Sequence, residues 1–155
     1  MSPIERIVSL LSEALTSLKR SEHDLSSAIR HTVTNLDPIP TFLLRPGVGA
    51  QSYLANAYTE VDKVKGILRT ISRFDDTSLV ITRTILEVCH ATLVLGLDNL
   101  VRALSLTGTL RQPSDQFCVD ELVRTLTRSF ESGIGALRTI GEASEILAEV
   151  KISPR

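Results

Sequence analysis

The chain has 155 residues, 43% of them hydrophobic, with 17 lysines and arginines against 18 aspartates and glutamates. That length predicts a single domain over residues 1–155 with a sizeable core, and the apolar content argues against disorder. A formal net charge of −1 gives no global electrostatic footprint for nucleic acid, and the absence of tryptophan argues against a stacking platform for single strands.

The first helix is predicted from Pro3 to Leu36. Ser2-Pro3-Ile4-Glu5 matches a capping box with proline at the first helical position. Ile4, Val8, Leu11, Leu15, Leu18, Leu25, Ile29 and Leu36 then repeat at alternating steps of three and four, which is one coiled-coil-like seam. Glu22 and Thr32 occupy seam positions. An acid there costs stability unless paired, so Glu22 marks either a register device or a polar site, or else snorkels at the edge. Asp37-Pro38 ends the helix.

The connector that follows, PIPTFLLRPGVG, is long for a helical bundle. Phe42, Leu43 and Leu44 in it need apolar cover. Arg45-Pro46-Gly47-Val48-Gly49 precedes a helix N-terminus, where free N–H groups favour anions. It lacks the strand and the lysine of a phosphate loop, so glycine for turning is the simpler account.

A second helix is predicted from Gln51 to Phe74 on the seam Leu54, Ala57, Val61, Val64, Leu68 and Ile71. Lys65, Arg69 and Arg73 form a basic ladder at steps of four. A ladder of this kind is usually a solvated face; a phosphate-contacting stripe is the alternative.

Residues 77–107 are the most apolar long stretch and read as one helix of about eight to nine turns. Asp75, Asp76 and Thr77 supply N-cap oxygens. The apolar arc swings round by roughly 80° between the halves and spans roughly 180° in the second, wider than the usual stripe of about 100°. Val94, Leu97, Val101 and Leu104 form a second seam beside Leu93, Leu100 and Ala103. That surface, with Phe42, Leu43 and Leu44, predicts self-association as a homodimer or higher assembly, or a protein partner. Arg83, Glu87, His90, Asp98 and Arg102 interrupt the stretch, which argues against a membrane span.

The fourth helix is predicted from Asp115 to Val150, with Ser114 as N-cap and the seam Val119, Leu122, Leu126, Ser129, Gly133, Ala136, Ile140, Ala143, Leu147 and Val150. The small middle of that seam, and Cys89, Gly96 and Ala103 on the third helix, predict that these two helices approach closely, with Gly133 at a tight crossing. Four long helices and one long connector give the expected fold: all-α, an elongated four-helix bundle.

Little in this pattern points to chemistry. Glu87-Val88-Cys89-His90 is a single E-x-x-H, whereas di-iron bundles need two such motifs and further glutamates. A ladder from Arg83 to Glu87 to His90 accounts for it. Cys89 and Cys118 would lie about 20 Å apart along a hairpin of the last two helices, too far for a disulfide. The segment MSPIERIVSLLSE becomes charged too early to resemble a secretory leader, so a cytoplasmic location is the expectation. No cofactor or metal is implied.

Arg83 and His90, with six residues between them, resemble the R-x(4–6)-H signature of the HEPN superfamily of small helical proteins, many of them dimeric ribonucleases. Thr84 stands where that family usually has asparagine, aspartate or histidine. The resemblance implies an RNA-cleaving site at Arg83 and His90. The residues themselves favour a non-enzymatic assembly or adaptor protein acting through helix packing. A nucleoprotein subunit using Lys65, Arg69 and Arg73 is a further alternative.

Overall fold

The computed structural model describes residues 2–36, 48–71, 74–109 and 116–152. The Phe42–Leu44 part of the connector, Arg45, Arg73 and Ser114 lie outside them. Four helices are described: α1 (Pro3–Leu36), α2 (Val48–Thr70), α3 (Thr77–Thr109) and α4 (Gln116–Ile152). They form an all-α four-helix bundle.

Local chemistry sets the ends. Ser2 Oγ accepts from Glu5 N–H at 3.1 Å and Glu5 Oε2 accepts from Ser2 N–H at 3.4 Å, completing the capping box. Asp76 caps α3: its Oδ1 accepts from Leu79 N–H at 3.2 Å. α2 starts three residues earlier than its pattern predicts and stops at Thr70 rather than Phe74. Ile71, the next residue, is buried in the core.

Contacts run in opposite directions along each neighbouring pair, so the helices alternate up and down. Ser21 meets Ala57 and His31 meets Tyr53 between α1 and α2. Tyr58 meets Asp98 and Leu68 meets Arg83 between α2 and α3. Gly96 meets Ser129, and Arg102 meets Glu121, between α3 and α4. The tightest associations are α1 with α2 and α3 with α4. The core runs the length of the bundle through Leu11, Leu18, Leu25, Val61, Val64, Leu86, Leu93, Leu97 and Leu100.

Many of the threonines inside these helices have a structural account, whereas the buried Ser12 hydroxyl has no partner among the described residues. Thr16, Thr32, Thr59, Thr82, Thr84, Thr92 and Thr127 each turn the hydroxyl back to the carbonyl four residues earlier, so none carries an orphaned donor. Two serines act between helices instead. Ser21 Oγ donates to Ala57 O at 3.0 Å and Ser129 Oγ donates to Gly96 O at 2.8 Å.

α3 is long and apolar enough to cross a membrane by length and composition. In the bundle its apolar arc faces three other helices, and Leu79, Leu86, Leu93, Leu97 and Leu100 are fully buried. The rotation of its arc is explained by this: the flank carrying Cys89, Gly96 and Ala103 meets α4, and the flank carrying Arg83, His90 and Val94 turns toward α2.

Candidate functional site

Two surfaces concentrate the unusual side chains. The first is a cleft of about 280 Å³ between α2 and α3, lined by Lys65, Leu68, Arg69, Arg83, Glu87 and His90. It unites two groups that lie far apart in sequence, the basic ladder and the arginine–histidine pair. Arg83 Nε donates to Glu87 Oε1 at 3.0 Å, and Arg83 Nη2 donates to Leu68 O at 3.2 Å. Leu68 lies in the last turn of α2, where carbonyls have no partner within the helix. The guanidinium therefore caps α2 and complements the negative end of its dipole.

His90 departs from the expected ladder. Its Nε2 lies 3.0 Å from Val61 O, and it makes no bond to Glu87. A carbonyl only accepts, so the contact is a hydrogen bond donated by Nε2. α2 packs against that flank of α3, and its backbone carbonyl offers the imidazole a half-buried acceptor that outcompetes the exposed Glu87 carboxylate. Lys65 and Arg69 stand exposed above the cleft and form no ion pair among the described residues. The cleft thus presents two unpaired cations beside a guanidinium already half neutralised by its neighbour.

The second surface is an apolar groove of about 370 Å³ between α1 and α4. Ile29, Val33, Phe130, Ile134 and Leu137 line it, with Gly133 in its floor and Glu22 at its edge. Burial pushes the Glu22 carboxyl above its ordinary range, and the charge of His23 offsets part of that rise. Glu22 is half-buried, between the core and solvent.

The groove belongs to a longer exposed row. Val123, Phe130, Ile134 and Leu137 of α4 are 57%, 56%, 45% and 52% exposed, far more than large apolar side chains usually are on a core helix. Sequence reasoning missed this row because it followed only the inward seam of α4. The signal was present: the positions beside that seam carry the same alternation of steps of three and four.

The expected α3 surface is divided. Leu97 is fully buried and Leu104 is 8% exposed, so both serve the chain's own core. Val94 packs half-buried against that core, and Val101 is exposed. The extra width of the α3 arc is taken up by α2 and α4 flanking it. The exposed apolar residues of α3 are instead Ile81, Val88 and Leu95, one above another at steps of seven, with Val80 and Val101 to the side.

Cys89 is buried and reduced, with its thiol shifted up by burial and its Sγ 3.7 Å from Ala136 O. Among the described residues no three histidine, cysteine or acidic side chains gather as a metal site. Comparison with protein-family models, with curated proteins and with solved structures finds no match. The class that fold and surface together define is an all-α four-helix bundle with exposed apolar rows on two of its helices.

Proposed function

We propose that the protein is a non-enzymatic assembly or adaptor protein that works through helix packing and self-associates. The observation that carries this reading is the pair of exposed rows, Val123, Phe130, Ile134 and Leu137 on α4 and Ile81, Val88 and Leu95 on α3. Scattered exposed apolar residues are ordinary, but rows at helical spacing beside an apolar groove mark interfaces. Val101 and Val94 extend the α3 row toward the surface first read from sequence. Sedimentation equilibrium of the whole chain tests the reading: a mass above that of one chain is expected, and a lone monomer at high micromolar concentration removes self-association. The reading carries the expectation of a cytoplasmic protein.

A second reading is supported by the α2–α3 cleft, which gathers Lys65, Arg69, Arg83 and His90. It is an RNA-binding surface or HEPN-like ribonuclease site with phosphate on Lys65 and Arg69. Cleavage would use His90, held by its Nε2 on Val61 O, while Arg83 stays engaged with Glu87 and Leu68. Arg83→Ala and His90→Ala would each abolish cleavage of a mixed RNA pool. Wild-type protein that leaves the pool uncut eliminates the ribonuclease, and RNA affinity that does not fall with salt eliminates the phosphate stripe.

A further inference from the structure

The outer face of α4 carries a second heptad pattern. Val123, Thr127, Phe130, Ile134, Leu137, Gly141, Ser144 and Ala148 follow one another at steps of four and three without interruption, and all but the half-buried Ser144 are exposed. This is the spacing of a coiled-coil seam. The first seam of α4 already faces the core, so the second has no partner within the described residues.

The size order along the seam is informative. Its bulk lies at Phe130, Ile134 and Leu137, and the C-terminal end is small. Gly141 sits there with nothing within 4 Å of the place where a Cβ would stand. Glycine inside a helix costs about 1 kcal/mol relative to alanine, and no neighbour among the described residues requires it.

Now set two copies of α4 antiparallel about a two-fold axis, in the layered packing of antiparallel coiled coils. Ile134 of each copy then shares a layer with Leu137 of the other. Phe130 shares a layer with Gly141, Thr127 with Ser144 and Val123 with Ala148. Phe130 and Val123 of the N-terminal half thus meet Gly141 and Ala148 of the C-terminal half, large against small, while Ile134 and Leu137 form the apolar centre.

The charges beside the seam select the same arrangement. One residue after each of Val123, Phe130, Leu137 and Ser144 come Arg124, Glu131, Arg138 and Glu145, all exposed. In the antiparallel pairing Arg124 faces Glu145 across the axis and Glu131 faces Arg138, and the symmetry repeats both pairs. All four residues find an opposite charge. Arg124 also bonds Glu121 at 3.1 Å within its own chain; Glu131, Arg138 and Glu145 form no ion pair among the described residues. A parallel pairing would set these four against the other flank of the seam, where Leu126, Gly133, Ile140 and Leu147 offer no charge. Charges at such flanking positions set partner choice and orientation in coiled coils.

We propose that the protein forms a two-fold dimer through antiparallel packing of the outer face of α4, with a second copy lying in the α1–α4 groove. Resting on the helix-packing reading above, this names the surface, the occupant and the register. A helix seated on the Phe130–Leu137 row lies within reach of both α1 and α4, so it covers Val33 and Ile29 as well. The interface is isologous, as closed two-fold symmetry requires.

Charge reversal tests it, read by sedimentation velocity over a concentration series. Glu131→Arg and Arg138→Glu are both at exposed positions, and circular dichroism checks that each variant remains helical. Each single variant places like charges twice across the axis and should weaken the dimer about tenfold or more. An equimolar mixture of the two single variants restores opposite charges and should return a heterodimer close to wild-type affinity. Phe130→Glu should give a folded monomer. A wild-type dimer indifferent to both charge reversals would place the contact on another face, overturning this inference while leaving the helix-packing reading intact. Weakened single variants with no recovery in the mixture would overturn the antiparallel register. A wild-type monomer at high micromolar concentration overturns both the inference and self-association.

Discussion

Gly96 of α3 and Gly133 of α4 both touch Leu25 of α1, yet they do opposite work. A Cβ added at Gly96 would lie 2.9 Å from Ser132 Cβ, closer than such atoms approach one another, and a tight 3.1 Å from Leu25 Cδ2. Here the α3 and α4 backbones come together, and Ser129 Oγ donates to the Gly96 carbonyl across the gap. A Cβ at Gly133 would stand 3.8 Å from Leu25 Cδ2, an ordinary contact. The tight crossing expected at Gly133 is therefore at Gly96, and Gly133 forms part of the floor of an open groove. α4 has one flank closed by small residues against α3 and another left open beside α1. Closeness on one side is what a small seam produces, and an unfilled groove on the other is what it costs when the neighbouring helix stands further off.

The largest break in this comparison comes from the side chain that serves both glycines. Leu25 is fully buried. Leu25→Ala should destabilise by about 2–5 kcal/mol, the range for deleting a core leucine, measured by chemical denaturation. A smaller loss would mean that α4 collapses into the groove and fills the space.

Gly96→Ala comes next. Alanine gains about 1 kcal/mol of helix propensity, but Ser132 Cβ and Leu25 Cδ2 stand in the way. Overpacking should outweigh the gain and leave a net loss of about 1–2 kcal/mol. Gly133→Ala should be neutral or slightly stabilising in the same assay. Equal effects at the two positions would dissolve the distinction between the closed and the open flank.

Gly141→Ala sharpens the comparison from outside the core. With open space around it, the single chain should gain up to about 1 kcal/mol. If Phe130 of a second copy uses that space, the same change should weaken the dimer, so fold stability and dimer affinity move in opposite directions.

The smallest effect is expected at Glu22. Burial raises its carboxyl pKa above the ordinary value, so the folded chain holds the proton more tightly than the unfolded one. Stability should be greatest below the ordinary carboxylate range and fall as pH rises through it toward the raised folded value. Glu22→Gln should remove that decline and stabilise the protein at pH 7, with the gain fading toward pH 4. A melting temperature with the same pH profile in both proteins would show that Glu22 stays solvated.

Much of the fold was legible because helical periodicity is local. Caps at Ser2 and Asp76, prolines at the breaks and steps of three and four placed the helices within a few residues of their observed ends. The ends of α2 were the least legible: no capping side chain in the sequence marked Val48 or Thr70. The sites were less legible. Arg83 and Glu87 pair within one helix, so their bond followed from spacing of four residues. His90 chose a carbonyl of another helix, which spacing along α3 cannot reveal.

The sequence by itself therefore determined that this chain makes four long amphipathic helices with small residues where two of them meet, because propensity, capping and periodicity act over a few residues. Only the tertiary structure decided which apolar side chains were spent on the core. Leu97 and Leu104 went inward because three helices surround α3. Phe130, Ile134 and Leu137 stayed in solvent because α1 leaves that flank of α4 uncovered. Burial depends on how far neighbouring helices stand apart, and that distance is set by the packing of all four helices together.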